Sequence, residues 1–324
     1  MPSFSVRFIA DVGSNFGGSL DGALEYVSAC ASAGVDVVKF QCWRAEDLLS
    51  PHHPAFERAS SSLWGLPLEW HRTLAERAEE LGILFSTTPT QPHQIPVLED
   101  AGVDIYKVAS GDITFFALLD ELNKTGKKVV LSTGMADLCE VERALSRLTN
   151  CEVVLLHCVS LYPPPFEELN LRAIQTLKEH FPECEVGLSD HSEGWDAVLA
   201  AVALGAVWVE KHITTSRSLP TPDASFALTV EEFGEMVARV RRVEAALGSG
   251  VKAPSRGEVP ERFWARRGIY ASRPLCRGEV LSPETVVFLR PCNGIPADAW
   301  DAVEGRRVSR DLNPFEPISF RDLE

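Results

Sequence analysis

Eight times in the first 245 or so residues, a short aliphatic or β-branched run is followed by a longer stretch with apolar side chains at helical spacing. This alternation constrains the fold more than any other feature of the chain. It predicts strands over 6–12, 35–41, 83–87, 105–108, 128–132, 153–157, 185–188 and 207–212, with helices such as 20–33, 70–81, 138–148, 171–180 and 230–247 among them. Gly34, Gly82, Gly102, Gly126, Asn150 and Gly205 stand where helices would close. The runs 153–157 and 207–212 are apolar on consecutive residues, as parallel strands buried on both faces are. Eight βα units without a dinucleotide glycine fingerprint predict an α/β fold, a closed (β/α)₈ TIM barrel over 1–247; a doubly wound sheet is the alternative. Beyond it, 248–262 reads as a linker rich in glycine, serine and proline. The stretch 263–324 reads as a small β-rich domain with little helix and strand pieces at 268–271, 285–289 and 307–308.

Charge narrows the partners. Thirty-one basic against 46 acidic side chains give a formal charge of −15, a field that repels a nucleic-acid backbone. No apolar run reaches 18 residues, so no membrane span is expected. The opening residues lack the pattern of a signal peptide, which points to the cytoplasm. Eight scattered cysteines with no CxxC pair read as small buried hydrophobes in a reducing compartment.

In a parallel barrel, functional side chains gather where strands end. The polar residues here are phased to those points. Asp11 ends the first predicted strand, Lys39 and Gln41 the second, Thr88 follows the third, and Lys107 ends the fourth with Ser110 after it. Ser132 ends the fifth, His157 the sixth with Ser160 and Tyr162 following, Ser189 and His191 follow the seventh, and Glu210 and His212 end the eighth. Two lysines within a ring of hydroxyls suit a phosphate or carboxylate; each lysine could equally end its strand in solvent. His191 and His212, on neighbouring strands and near Asp190 and Glu210, could converge on a transition metal with open positions. His52 and His53 read as a solvated pair, and His157 is left unassigned. An anion cradle beside a Lewis acid fits an activated carbon acid adding to an aldehyde, and would also accommodate an aldolase or a phosphosugar isomerase.

The blocks Val37-Val38-Lys39-Phe40-Gln41, Tyr106-Lys107-Val108-Ala109-Ser110-Gly111-Asp112, Ser132-Thr133-Gly134-Met135, Leu155-Leu156-His157-Cys158, Ser189-Asp190-His191-Ser192 and Val209-Glu210-Lys211-His212 resemble the N-acetylneuraminate (sialic acid) synthase family. The tail, with Arg267-Gly268-Ile269-Tyr270 and Leu289-Arg290-Pro291-Cys292-Asn293-Gly294, resembles that family's antifreeze-like SAF domain. The resemblance implies a transferase that condenses phosphoenolpyruvate with a sugar aldehyde to give a 2-keto sugar acid and phosphate. It implies that Lys39, Thr88, Lys107, Ser110, Ser132, Ser160 and Ser189 bind phosphoenolpyruvate. His191 and His212 would hold a divalent ion, typically manganese, with magnesium and cobalt as other candidates. Gln41, Tyr162, Asp223 and Arg290 would surround the acceptor, Arg290 from the partner subunit of a domain-swapped homodimer. Asp11 and Glu210 are the candidate proton-handling carboxylates. The first motif departs from the family's Glu-Ile-Gly-x-Asn-His-x-Gly, reading Asp11-Val12-Gly13-Ser14-Asn15-Phe16-Gly17-Gly18. One methylene less draws the Asp11 carboxylate back by about 1.5 Å. Thr90 and Ser160 depart as well, so the expected acceptor is an amino or deoxy sugar other than N-acetylmannosamine.

Overall fold

The computed structural model describes residues 5–62 and 64–324. The chain divides into two compact units, Met1–Ser249 and Gly250–Glu324. In the first, β1 (Arg7–Asp11), β2 (Val37–Cys42), β3 (Leu84–Pro89), β4 (Ile105–Val108), β5 (Lys128–Ser132), β6 (Val153–Cys158), β7 (Glu185–Asp190) and β8 (Trp208–Thr214) pair in sequence order, all parallel. β8 then returns to β1, from Arg7 opposite Trp208 to Asp11 opposite His212. That closure separates a barrel from a doubly wound sheet, whose outer strands stay unpaired. The predicted strands are all present within a residue or two at their ends.

Helices follow each strand. They are α1 (Leu20–Ser32), the short α2 (Ala45–Leu48) and α3 (Phe56–Ser60) leading to α4 (His71–Glu80), then α5 (Ile95–Asp100), α6 (Phe116–Thr125), α7 (Leu138–Leu145), α8 (Ala173–His180), α9 (Asp196–Ala203) and α10 (Val230–Leu247). Local chemistry starts and stops them. Ser19 caps α1 through Gly22 N, and Asp137 with Glu140 and Thr229 with Glu232 form capping boxes on α7 and α10. Gly126 ends α6 in the left-handed region at φ 66°. A two-residue strand missed in the sequence, β9 (Leu228–Thr229), pairs with β8 just before α10.

Alternation along the strands sorts side chains into two sets. Outward residues such as Phe8, Val38, Phe85 and Val209 join the helices in the main apolar core. Inward residues Ile9, Val37, Ile105, Val130, Val154, Leu156 and Trp208 form a separate cluster that fills the barrel's lower half. Trp208 is its floor. The Arg7 guanidinium and Lys128 ammonium lie 5.1 and 5.4 Å from its ring, and its indole N–H donates to Glu185 at 2.7 Å. Beside it only glycine fits at 187, because a Cβ there would come 2.6 Å from Trp208 Cβ and collide with Trp208 O.

The second unit packs Ile269, Leu281, Val286, Ile295, Val308 and Ile318 beneath a two-stranded antiparallel pair, β10 (Gly268–Ala271) and β11 (Val286–Leu289). Two expectations need correction. The segment read as a linker to 262 contains most of α11 (Glu258–Ala265), and the stretch 307–308 forms only single bridges, to Val280 and Leu323. No helix of the described residues is long and apolar enough to cross a membrane.

Candidate active site

Above the apolar filling, the inward positions turn polar. A cavity of about 280 Å³ opens there, lined among others by Asp11, Lys39, Gln41, Thr88, Lys107, Ser110, Ser132, Tyr162, Ser189, His191, Glu210, His212 and Asp223. Residues from all eight strands or the loops just after them thus reach one space. Each strand residue belongs to the set that alternates with the outward core residues, so the topology places them together.

The charges at its base are concentrated and buried. Lys39 Nζ lies 2.6 Å from Asp11 Oδ2 and 3.6 Å from Glu210 Oε2, with all three side chains at most 5% exposed. Burial alone would raise the Asp11 pKa, but Lys39 and His212 outweigh it and hold the carboxyl below its usual range. Burial would lower Lys39, but Asp11 and Glu210 outweigh it and hold the amine above its usual value. Lys107 is less well compensated. It donates to the adjacent Val108 O at 2.9 Å and stands 3.8 Å from Glu210 Oε1. Burial, with Lys39 acting in the same direction, depresses its pKa against the pull of Glu210.

Around these charges, hydroxyl and imine groups wait without protein partners. Thr88 Oγ1, Ser132 Oγ, Ser160 Oγ and His212 Nδ1 are buried and make no hydrogen bond within the protein. Ordinary folds avoid this, because each such group costs about 1–3 kcal/mol when left unpaired. Ser189 Oγ donates to Glu210 Oε1 at 3.0 Å, and Ser110 Oγ accepts from Gly134 N at 3.0 Å. Ser160 does not line the cavity. Its hydroxyl abuts the α-carbon of Gly134, where any Cβ would strike it.

The upper wall holds the histidines. The His191 and His212 rings are 5.4 Å apart, with Tyr162 4.2 Å from His191 and Phe226 5.2 Å from His212. His212 Nε2 faces Asp11 Oδ2 at 3.4 Å. Asp223 accepts from both Ser14 N (3.0 Å) and Ser14 Oγ (2.7 Å), and its carboxyl is held low by His212 and Ser14 against the opposing effect of burial. Two facing imidazoles, one with a buried partnerless nitrogen, fit a divalent transition metal. Among the described residues no group of three or more His, Cys, Asp or Glu side chains is arranged to hold a metal, so oxygen ligands from water or substrate would complete the shell.

Some readings change. Asp190, expected beside His191, faces away from the cavity and pairs with Lys211 at 2.6 Å. His157 also faces outward, bonded through Nε2 to Leu169 O at 2.7 Å. His52 and His53 are exposed, in agreement with their reading as a solvated pair. Arg290 lies in the second unit and is exposed. Cys158, expected as a small buried hydrophobe, instead lines the cavity with its thiol 3.8 Å from His191 Nδ1. Burial would raise that thiol, but His191, Ser110 and Lys107 bring it below its usual value. Asp112 also lines the cavity, its carboxyl raised by burial against the pull of Lys107. Period-two counting along β6 from Leu156 would have found Cys158; Asp112 sits in a 3₁₀ turn after β4, where alternation gives no signal.

A model described as the NeuB family matches residues 26–252, and one described as the SAF domain matches 266–324. The chain belongs to the NeuB family. Among NeuB relatives, the N,N'-diacetyllegionaminic acid synthase of Campylobacter jejuni is 34% identical, over 96% of this chain and 98% of that protein. A pseudaminic acid synthase of Campylobacter jejuni is 33% identical, over 98% of this chain and 96% of its own length. The crystal structure of an N-acetylneuraminic acid synthetase from Leptospira borgpetersenii superposes with a TM-score of 0.75 at 35% identity, covering 79% of this chain and 90% of that one. The NeuB match spans the strand ends that build the cavity from Lys39 to Asp223.

Proposed function

We propose that this protein condenses phosphoenolpyruvate with an open-chain aldose to give a chain-extended 2-keto sugar acid and phosphate, as sialic acid synthases do. The observation that carries this reading is the buried base of the cavity, where Lys39 and the under-compensated Lys107 line one space with the hydroxyls of Thr88 and Ser132, which have no partner in the protein. A dianionic phosphate and a carboxylate would satisfy all of these groups at once. His191 and His212 would hold a divalent metal, which we take to be manganese, with magnesium and cobalt as substitutes. When bound, the metal supplies Lewis-acid polarisation of the aldehyde.

The chain's own residues do the remainder. Lys39, Lys107 and the hydroxyls fix the enol phosphate so that its C3 faces the aldehyde carbon; such alignment is worth about 7–11 kcal/mol of barrier in general. The C2–C3 π pair forms the new carbon–carbon bond, leaving an alkoxide on the former aldehyde oxygen and positive charge at C2, which Asp11 and Glu210 would face. Water adds at C2 and gives a proton to one of those carboxylates, which passes it to the alkoxide. The adduct's C2 hydroxyl then gives its proton to the departing phosphate as the C2–O bond breaks, which yields the keto acid and phosphate.

The acceptor we propose is an amino or deoxy sugar other than N-acetylmannosamine. The shortened Asp11 and Thr90, which both line the cavity, support this; Phe16 packs in the main core against Phe40 and Trp70 and does not reach the acceptor. A second cavity of about 450 Å³, lined by residues 42–47 and 65–69 with His93 and Gln94, borders Trp43, which also lines the first. Legionaminic and pseudaminic acid synthases among the relatives point the same way. We also propose a cytoplasmic homodimer in which Arg290 of one chain completes the acceptor site of the other. The family resemblance supports that arrangement.

The test is phosphate release from phosphoenolpyruvate with Mn²⁺ across acetamido-hexoses, their phosphates and diacetamido sugars. Release that requires both an aldose and the metal is expected. Absence of release with every sugar, together with cleavage of a 2-keto sugar acid in the reverse direction, would make the protein an aldolase instead.

A further inference from the structure

The face of β7 and β8 turned away from the cavity carries an anomaly. Its other residues, Val186, Leu188, Val209 and Ile213, are apolar and belong to the main core. Between them lies a full ion pair, Asp190 and Lys211, opposite each other in register, with side chains 0% and 1% exposed. A pair this deep is weak grounds for stability, since well-packed apolar residues of similar volume often serve as well or better. Its hydrogen bonds suggest another role. Lys211 Nζ donates to Asp190 Oδ2 at 2.6 Å and to Ser192 O at 2.7 Å, and Ser192 N donates to Asp190 Oδ1 at 2.9 Å.

The residues just before and just after His191 are therefore tied to one ammonium group. That ammonium belongs to the residue preceding His212. Both imidazoles hang from a single buried clamp. We propose that the Lys211–Asp190–Ser192 clamp is a positioning device that sets the spacing and aim of His191 and His212 toward a divalent cation. This inference rests on the metal reading of that pair. Lys211 and Asp190 touch neither substrate nor metal, and act only through the strands they join. Partners that fix the orientation of metal-binding histidines commonly tune affinity by about 10–100-fold, and this clamp would act on the same orientation through the backbone.

The experiment measures Mn²⁺ binding by electron paramagnetic resonance, without turnover, in the full chain. Asp190→Asn/Lys211→Met removes both charges together and so leaves no unpaired ion. The expected result is a folded protein whose phosphoenolpyruvate affinity stays within about twofold of wild type while Mn²⁺ binding weakens by about 10–100-fold. A folded double variant with wild-type Mn²⁺ affinity overturns the clamp. Should the double variant fail to fold, Asp190→Asn alone decides. An Asn there puts an NH₂ donor where one carboxylate oxygen accepts, so it cannot accept at both the Ser192 and Lys211 positions; about tenfold weaker Mn²⁺ binding is expected, and unchanged binding again overturns the proposal. His191→Ala separates the two layers: wild-type Mn²⁺ affinity in that variant would sink the metal reading itself, and the clamp's role with it.

Discussion

Lys39 and Lys107 are equally buried, yet they differ in readiness. Lys39 is saturated by Asp11 and Glu210, whereas Lys107 has one backbone carbonyl and a distant carboxylate. A lysine whose folded pKa lies below its unfolded value near 10.5 contributes stability above that value and loses it as pH falls through the folded one. Near neutrality, placing the Lys107 amine in this site is thus a net cost to the empty protein. Lys107→Met should keep or raise the melting temperature while weakening phosphoenolpyruvate binding at least about thirtyfold, from roughly 2 kcal/mol or more of lost charge pairing. Thermal melts alongside calorimetric titration check both halves, and a lowered melting temperature with intact binding would contradict the assignment. These lysines and the two histidines were legible in the sequence because strand ends announce them. Lys211 and Asp190 were not, since a residue-by-residue reading sees a polar cluster and only the pleat separates inside from outside.

At the scale of elements, α4 shows how a helix is tied to the barrel by chemistry that periodicity does not reveal. His71, its first residue, is fully buried; Nδ1–H donates to Pro67 O at 3.0 Å and Nε2 accepts from Thr87 of β3 at 3.0 Å. Burial pushes its pKa down to about 4. A depressed histidine contributes stability that is full above the unfolded value near 6.5 and lost as pH falls toward about 4, on the order of 3 kcal/mol. Urea unfolding between pH 7 and 4.5 should show this loss in wild type. His71→Gln should start less stable and lack that part of the slope; parallel curves would mean the histidine does not titrate with unfolding. The strands were readable because aliphatic runs separated by glycine leave few alternatives. The helix α11 was hidden because Pro260 sits in its first turn, where the missing N–H costs nothing, and because none of its residues is buried to mark an apolar stripe. A two-residue piece such as 307–308 carries too little pattern to tell a strand from a bridge.

For the whole molecule, the proposed sharing of each site between two chains has a quantitative signature. Lys107→Met and Arg290→Ala proteins should each be nearly inactive. Unfolded and refolded together, half of the randomly formed dimers contain one chain of each kind, and one of their two sites has an intact barrel and an intact tail. Activity should return to about a quarter of wild type. No recovery would mean that Arg290 serves its own barrel or none. This level of organisation is the least legible from one chain, because the residues that complete a site carry no mark of which copy they serve.

The indole floor at Trp208 makes the barrel a well with one opening. Lys107, Ser189 and Glu210 lie one inward position below His191 and His212, so under the proposed reaction the enol phosphate would descend before the sugar covers it. An unreactive sugar analogue should therefore inhibit uncompetitively against phosphoenolpyruvate. Traffic through a blind shaft is sequential, and a dead end built for stability becomes the rule that decides which reactant queues behind the other.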